Sequence, residues 1–92
     1  MITGAAGSIG SEIVRQVYHY QPRKLVLLDN AETPMNQLLI DLKRSRIDMQ
    51  VVTAYMGDVT RKNRIDEVFQ EVKPNIVFHA AAYKGNFSVL SY

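Results

Sequence analysis

The 92-residue sequence lacks cysteine, a long hydrophobic run and a signal peptide. The absence of cysteine excludes a disulfide framework, a thiolate metal site and a cysteine nucleophile, and it fits a reducing cytoplasm. Its longest uncharged apolar run is too short to span a bilayer. Residues 1–10 lack the basic start and apolar stretch of a secretion signal. We therefore expect a cytoplasmic location.

A basic patch is also absent. The formal net charge is +2, and the lysines and arginines are spread along the chain, with short groups only at Lys43-Arg44 and Arg61-Lys62. No nucleic-acid partner is expected from this distribution. Apolar residues make up 47% and charged residues 22%, which is typical of a globular protein, and the length allows one small domain at most.

The hydrophobic periodicity alternates between that of strands and that of helices. It predicts strands at Met1–Thr3, Lys24–Asp29, Val51–Met56 and Ile76–Ala80, and helices at Ser8–Tyr20, from a Thr33 cap with Pro34 in the first turn, and after Thr60. Strands separated by such helices form right-handed crossovers and a parallel sheet. The expected fold class is α/β, a Rossmann-type three-layer fold with strand order 3-2-1-4, incomplete at this length.

Three of the five glycines lie between the first strand and the first helix, at Gly4, Gly7 and Gly10. The first glycine permits a tight turn, the second lets the backbone approach a pyrophosphate, and the third allows close helix packing. The helix N-terminus then offers free amides, and Ser8 can add a hydroxyl. The alternative is a turn whose glycines serve sterics alone. No Gly-Lys-Ser/Thr ending follows, which disfavours an ATPase phosphate loop.

An acidic residue ends the second strand at Asp29, 19 residues after Gly10. This is the expected place for a carboxylate that accepts from the adenosine ribose hydroxyls, although a helix-capping aspartate is the alternative. Asn30 follows instead of an arginine, and Asp29 would repel a 2′-phosphate, so NAD is favoured over NADP. Cations that would favour NADP remain elsewhere, at Arg23, Lys24, Arg44 and Arg46.

Two further strand ends carry candidate residues. Asp58 can accept from an adenine amino group while Val59 packs on the ring, or the pair can form a plain turn. The small side chains of Ala80–Ala82 leave room for a cofactor at the carboxyl edge of the sheet, or reflect close packing alone. We interpret His79 as structural because no triad or metal cluster accompanies it. Lys84 is either a cofactor contact or a solvated lysine.

Together these residues resemble the extended short-chain dehydrogenase/reductase family, whose Thr-Gly-x-x-Gly-x-x-Gly fingerprint is present at Thr3–Gly10. The segments KLVLLDNAETPMNQLLIDL (24–42), GDV (57–59) and IVFHAAAYK (76–84) resemble the CapD-like polysaccharide biosynthesis branch. The resemblance implies a nucleotide-sugar dehydratase, typically a UDP-N-acetylglucosamine 4,6-dehydratase. In that reaction the sugar is oxidised at C4, loses water across C5 and C6 and is reduced again at C6, so the bound NAD(P) is regenerated.

The resemblance, added to the motifs, predicts a set of cofactor-binding residues. They are Gly4, Ala6, Gly7, Ser8, Ile9, Gly10, Asp29, Asn30, Asp58, Val59, Ala80, Ala81, Ala82 and Lys84. By the resemblance, the pyrophosphate would be held by the glycine-rich turn, at Gly4, Gly7, Ser8, Ile9 and Gly10. Asp29 would hold the ribose, and Asp58 with Val59 the adenine. No catalytic residue and no metal ligand is predicted, because the catalytic residues of the family lie beyond this segment.

The resemblance ends after Lys84. Residues 1–84 are expected to be the N-terminal part of an NAD(P)-binding Rossmann domain, and residues 85–92 a divergent tail from a truncation or frameshift. Two alternatives remain: a UDP-sugar epimerase or reductase with the same front half, and a catalytically silent nucleotide-binding fragment. The exposed edges of half a sheet favour a homo-oligomer. A nucleotide-sugar substrate and a membrane anchor, at the inner face of the plasma membrane, are expected only in a longer parent.

Overall fold

The computed structural model describes residues 1–83 and 86–91, with side chains described through residue 80. Strands and helices alternate along most of the chain. In chain order the elements are β1 (Ile2–Thr3), α1 (Ser8–Tyr18), β2 (Leu25–Asp29), α2 (Glu32–Arg44), a 3₁₀ turn (Met49–Val51), β3 (Val52–Met56), α3 (Lys62–Val72), β4 (Ile76–Tyr83) and β5 (Asn86–Ser91).

The strands form one sheet in the order β3-β2-β1-β4-β5. The first four are parallel, which confirms the predicted order 3-2-1-4 and the incomplete Rossmann-type fold. β1 is central, since Ile2 lies opposite Leu27 of β2 on one side and Phe78 of β4 on the other. β5 pairs antiparallel with β4, although no strand was predicted in the tail.

The main core lies between the sheet and the first two helices. Alternate residues of β2, Leu25 and Leu27, point to this side, as expected for a strand with period-two side chains. Val14 of α1 lies against them and has no exposed surface. The buried cluster consists of Ile2, Ala5, Val14, Leu25, Leu27, Met35, Leu38 and Leu42. Burial on this scale fixes α1 and α2 to one face of the sheet.

The other face of the sheet is covered by α3. Val26 and Leu28 alternate with the core residues of β2 and are also buried. Val68 of α3 and Val77 of β4 are buried as well. A right-handed crossover from β3 to β4 runs in the direction opposite to the two earlier crossovers, which places α3 on this second face. The three-layer arrangement is thus as predicted.

Two predicted helix starts are wrong by one or two residues. α2 begins at Glu32 with Ala31 as its N-cap, because the Ala31 carbonyl accepts from the Met35 amide at 3.0 Å. Pro34 therefore occupies the third helical position, where no intrahelical partner for an N–H is needed. α3 begins at Lys62 rather than from Thr60, whose polar groups bind a neighbouring carboxylate instead.

Candidate functional site

The glycine-rich turn leaves β1 through Gly4, which has a φ of 68°. A side chain is disfavoured in this left-handed region, so the backbone favours glycine there. The Gly4 carbonyl accepts from the Gly7 amide at 3.2 Å and closes the turn. The tight turn predicted from the first glycine is therefore present.

Gly10 lies buried in the first turn of α1. A Cβ added there would lie 2.8 Å from the Gly4 carbonyl carbon and 2.9 Å from the Ala5 Cα, and closer still to the Gly4 oxygen. These are backbone atoms, which cannot rotate away. The third glycine thus allows α1 to pack against the turn itself. The sequence analysis had inferred that this glycine allows the helix to pack against the sheet.

Gly7 differs from the other two glycines because the fold does not require it. Its φ of −74° and ψ of 171° are open to any residue, and a Cβ there would lie 3.5 Å from the Gly4 oxygen, an ordinary contact. Gly7 is also exposed. The turn itself therefore does not require glycine at this position.

The amides of this segment divide into two groups. Those of Ala5, Ala6 and Gly7 donate within the protein, to the Leu28 oxygen, the Asp29 carboxylate and the Gly4 oxygen. The Ala6 amide is thus engaged by Asp29. The amides of residues 8–10 form the first turn of α1, where no intrahelical acceptor exists and Gly7 supplies no side-chain cap. No acceptor for them occurs among the described residues.

Asp29 joins the turn to the start of α2. Its Oδ2 accepts from the Ala6 amide at 2.9 Å, and its Oδ1 accepts from the Ala31 amide at 3.0 Å. The cap-like role weighed as an alternative is therefore present. An ionised carboxylate has about four lone-pair sites, so two acceptor positions remain for further donors. The same side chain can brace the turn and accept from a ligand hydroxyl.

A crevice of about 230 Å³ opens at the carboxyl edge of the parallel strands. It brings together residues predicted separately from the ends of β1, β2, β3 and β4. Its lining residues are Gly4, Gly7, Asp29, Asn30, Gly57, Asp58, Val59 and Ala80. Ligands of open α/β sheets bind at this edge. Its volume is below the range of about 300–1,000 Å³ usual for complete small-molecule sites.

Asp58 and Val59 form the β3 side of the crevice. Asp58 Oδ1 accepts from the Thr60 amide at 2.9 Å and from the Thr60 hydroxyl at 2.7 Å. These hydrogen bonds, the hydroxyl first, lower the pKa of Asp58 below its ordinary value. Because both bonds fall on Oδ1, Oδ2 remains as an acceptor. Asp58 can therefore form the turn with one carboxylate oxygen and face a ligand with the other.

Gly57 is a lining residue that the sequence analysis did not assign. Its amide donates to the backbone carbonyl oxygen of Asp29 at 3.0 Å, so it continues the β2–β3 pairing. A Cβ there would lie 3.1 Å from Arg64 Cγ and 3.2 Å from Leu28 Cδ1, which is a tight fit. Its position directly before Asp58 at a strand end was the available signal.

Part of the predicted set is not described. Ala81 and Ala82 lie within β4, but their side chains are beyond residue 80, and Lys84 lies outside the described residues. His79 Nδ1 hydrogen-bonds Thr3 Oγ1, and the two residues are paired across β1 and β4. This contact supports a structural role for His79.

A larger cavity, of about 350 Å³, lies at the opposite, amino edge of the sheet. Its walls are mostly apolar, and Arg23 and Lys24, which precede β2, are at its rim. Arg44 and Arg46 lie beside the C-terminal end of α2, also remote from Asp29. The four cations weighed in favour of NADP are therefore far from the crevice. We regard the smaller crevice as the candidate site because it holds the polar groups and the glycine turn.

Two absences concern the described part of the chain. None of its helices has the length and apolar character needed to cross a membrane. No group of histidine, aspartate or glutamate side chains in it is arranged to hold a metal ion.

The sheet order and the glycine-rich turn define a Rossmann-type unit with its crevice at the usual edge. The family model described as "Polysaccharide biosynthesis protein" matches residues 1–88, and the chain belongs to this family. The match includes four residues beyond the point where the sequence resemblance ended.

Three curated relatives match over 84 residues, or 91% of the chain. The capsular polysaccharide biosynthesis protein CapD of Staphylococcus aureus is 42% identical, and the probable polysaccharide biosynthesis protein EpsC of Bacillus subtilis is 33% identical. An uncharacterized membrane protein of Methanocaldococcus jannaschii, MJ1061, is 37% identical. The matched segment spans only 14% of CapD and of EpsC, and 23% of MJ1061.

Proposed function

We propose that this chain supplies the adenosine-diphosphate side of an NAD(P) site in a nucleotide-sugar 4,6-dehydratase of polysaccharide biosynthesis. The carrying observation is the crevice that unites the glycine turn with Asp29 and Asp58. Membership of the polysaccharide biosynthesis family supports the broader role. The cofactor, the reaction and the sugar nucleotide are part of the proposal.

Gly7 is the best support for a phosphate at the turn. The backbone at this position tolerates a side chain, and the nearest described neighbour would be at contact distance. Glycine is favoured over alanine as the N-cap of α1, and it also lets a ligand approach the backbone where a methyl group would block it. The first-turn amides of α1 and the positive end of the helix dipole would then meet the diphosphate.

The charges in the crevice favour NAD over NADP. Both ionisable lining residues among those described, Asp29 and Asp58, are acids. Asp29 keeps acceptor positions for the two ribose hydroxyls and would repel a 2′-phosphate. Arginine or lysine is the usual partner of that phosphate, and the described part of the lining contains neither.

In the proposed reaction a bound nicotinamide supplies reversible hydride transfer. The residues of this chain bind and orient the dinucleotide: α1 amides at the diphosphate, Asp29 at the ribose and Asp58 with Val59 at the adenine. The family's catalytic groups lie outside this segment, so we expect binding without turnover of UDP-N-acetylglucosamine.

Replacing Gly7 by alanine tests the proposal. We expect G7A to fold, with a loss of about 0.5–1 kcal/mol because glycine is the better N-cap. We expect it to bind NAD at least about tenfold more weakly, which corresponds to about 1.4 kcal/mol. Isothermal titration calorimetry with NAD and with NADP provides the measurement. Gln16→Ala, on the exposed side of the same helix, is the control and should bind as the unaltered chain does.

Two results would contradict the proposal. An unaltered chain that binds neither dinucleotide at millimolar concentration has no NAD(P) site of this kind. If G7A binds NAD as tightly as the unaltered chain, the ligand does not approach the turn, and the assignment of the phosphate position is wrong.

A further inference from the structure

We propose that Arg64 is a positioning residue for adenine recognition, acting through the end of β3. This inference rests on the proposed function, since it concerns the adenine side of the same crevice. Arg64 does not line the crevice. It lies in the first turn of α3 and extends back to the strand that the helix follows.

The contacts of Arg64 hold the last residue of β3. Its Nε donates to the Met56 carbonyl at 3.1 Å, and its Nη1 lies 3.4 Å from Glu67 Oε2 one turn along α3. The Glu67 contact orients the guanidinium from the helix side. A strand end is thus connected to a helix by one half-buried side chain, in addition to the chain between them.

The next residue, Gly57, is enclosed by the same side chain. A Cβ on Gly57 would meet Arg64 Cγ at 3.1 Å on one side and Leu28 Cδ1 at 3.2 Å on the other. The Gly57 amide donates to the backbone carbonyl oxygen of Asp29. Gly57 therefore lies between β2 and the aliphatic part of Arg64, with little freedom to move.

Asp58 and Val59 follow Gly57 directly and line the crevice. The Arg61 amide donates to the Asp58 carbonyl at 2.9 Å, so the loop is fixed at both of its ends, by Gly57 and by the start of α3. Loss of the Arg64 contacts would leave the Gly57 end held by β2 alone. The free Oδ2 of Asp58 would then no longer be held where an adenine amino group reaches it.

The test compares two dinucleotides that differ only at the base. Nicotinamide hypoxanthine dinucleotide carries a carbonyl in place of the adenine amino group, so it presents an acceptor to Asp58. For the unaltered chain we expect NAD to bind about tenfold more tightly than this analogue. For Arg64→Met, which keeps the aliphatic stem but not the donors, we expect the ratio to fall to about two or three.

The ratio separates positioning from a merely structural effect. Destabilisation of the chain lowers the affinity for both dinucleotides by the same factor and leaves the ratio unchanged. Arg64→Lys keeps the positive charge and a group that can donate to the Met56 carbonyl, so it should restore part of the ratio. If Arg64→Met does not fold, the ratio is measured on Arg64→Lys instead. Lys62→Met, a loss of charge in the same turn of α3 at a residue that pairs with Asp66, is the matched control and should keep the full ratio.

The outcomes distinguish this inference from the function on which it rests. An unaltered chain that binds no NAD overturns both. An unaltered chain that prefers NAD, together with Arg64 variants that keep the same preference, overturns the role of Arg64 alone. A fall in the ratio for Lys62→Met equal to that for Arg64→Met also overturns it, because charge would then be the cause.

Discussion

Substitution of Gly10 by alanine should destabilise the fold strongly. The added Cβ would lie within 2.9 Å of two backbone atoms of the turn after β1, so α1 or the turn must shift. Overpacking costs about 1–3 kcal/mol, and we expect the upper part of this range because the neighbours are backbone atoms. The better helix propensity of alanine offsets at most about 1 kcal/mol. The net loss should be about 2 kcal/mol.

A loss of this size is large for so short a chain, whose free energy of unfolding should be about 5–14 kcal/mol. Each kcal/mol lowers the Tm of such a domain by about 4–8 °C. Thermal unfolding followed by far-ultraviolet circular dichroism should therefore show a fall of about 8–16 °C for G10A. Gln16→Ala, at an exposed position of the same helix, is the matched control and should unfold within a few degrees of the unaltered chain. If the Tm of G10A stays within about 3 °C, the close contact between α1 and the turn is not present in solution.

Two further substitutions test local contacts. Lys73 caps the C-terminal end of α3 with a φ of 49° and a ψ of 61°, a conformation that costs an L-residue about 1–2 kcal/mol. Lys73→Gly should therefore raise the free energy of unfolding, measured with urea, by about 0.5–1 kcal/mol after the entropic cost of glycine. Lys73→Ala is the control and should not raise it. The Thr60 hydroxyl lowers the pKa of Asp58, so this carboxylate contributes stability that is present above its unfolded-state pKa and lost as the pH falls through its folded pKa. Thr60→Val should raise the pKa of Asp58 in an NMR titration; an unchanged titration would refute the hydrogen bond.

The strand order and the crevice were predictable from the sequence because both follow from the alternation of strands and helices along the chain. Buried parallel strands appear as continuous apolar runs, as in Leu25–Leu28, and crossovers of one hand leave few possible orders. Once the strands are parallel, their carboxyl ends share one edge. The residues after each run, such as Asp29 and Asp58, must then lie near one another. The clustering of the predicted residues follows from this rule.

Contacts that depend on side-chain direction were not predictable in the same way. Thr33-Pro34 is a good helix start by composition, yet the Asp29 carboxylate holds the Ala31 amide and α2 begins earlier. The bond from Arg64 to the Met56 carbonyl carries no sequence pattern, because it depends on the angle at which α3 leaves the sheet. Propensity describes a segment, whereas these contacts depend on the packing of two segments.

The pairing of β1 with β2 couples the proposed phosphate and ribose positions. Thr3 lies opposite Leu28, and the Ala5 amide donates to the Leu28 oxygen. The next amide, that of Ala6, therefore meets the side chain of the next residue of β2, Asp29. Because one carboxylate both braces the turn and faces the crevice, any change in the β1–β2 register would displace both positions together. The proposed site is thus specified by the parallel register of two strands, and Gly4 and Gly10 allow the backbone to follow it.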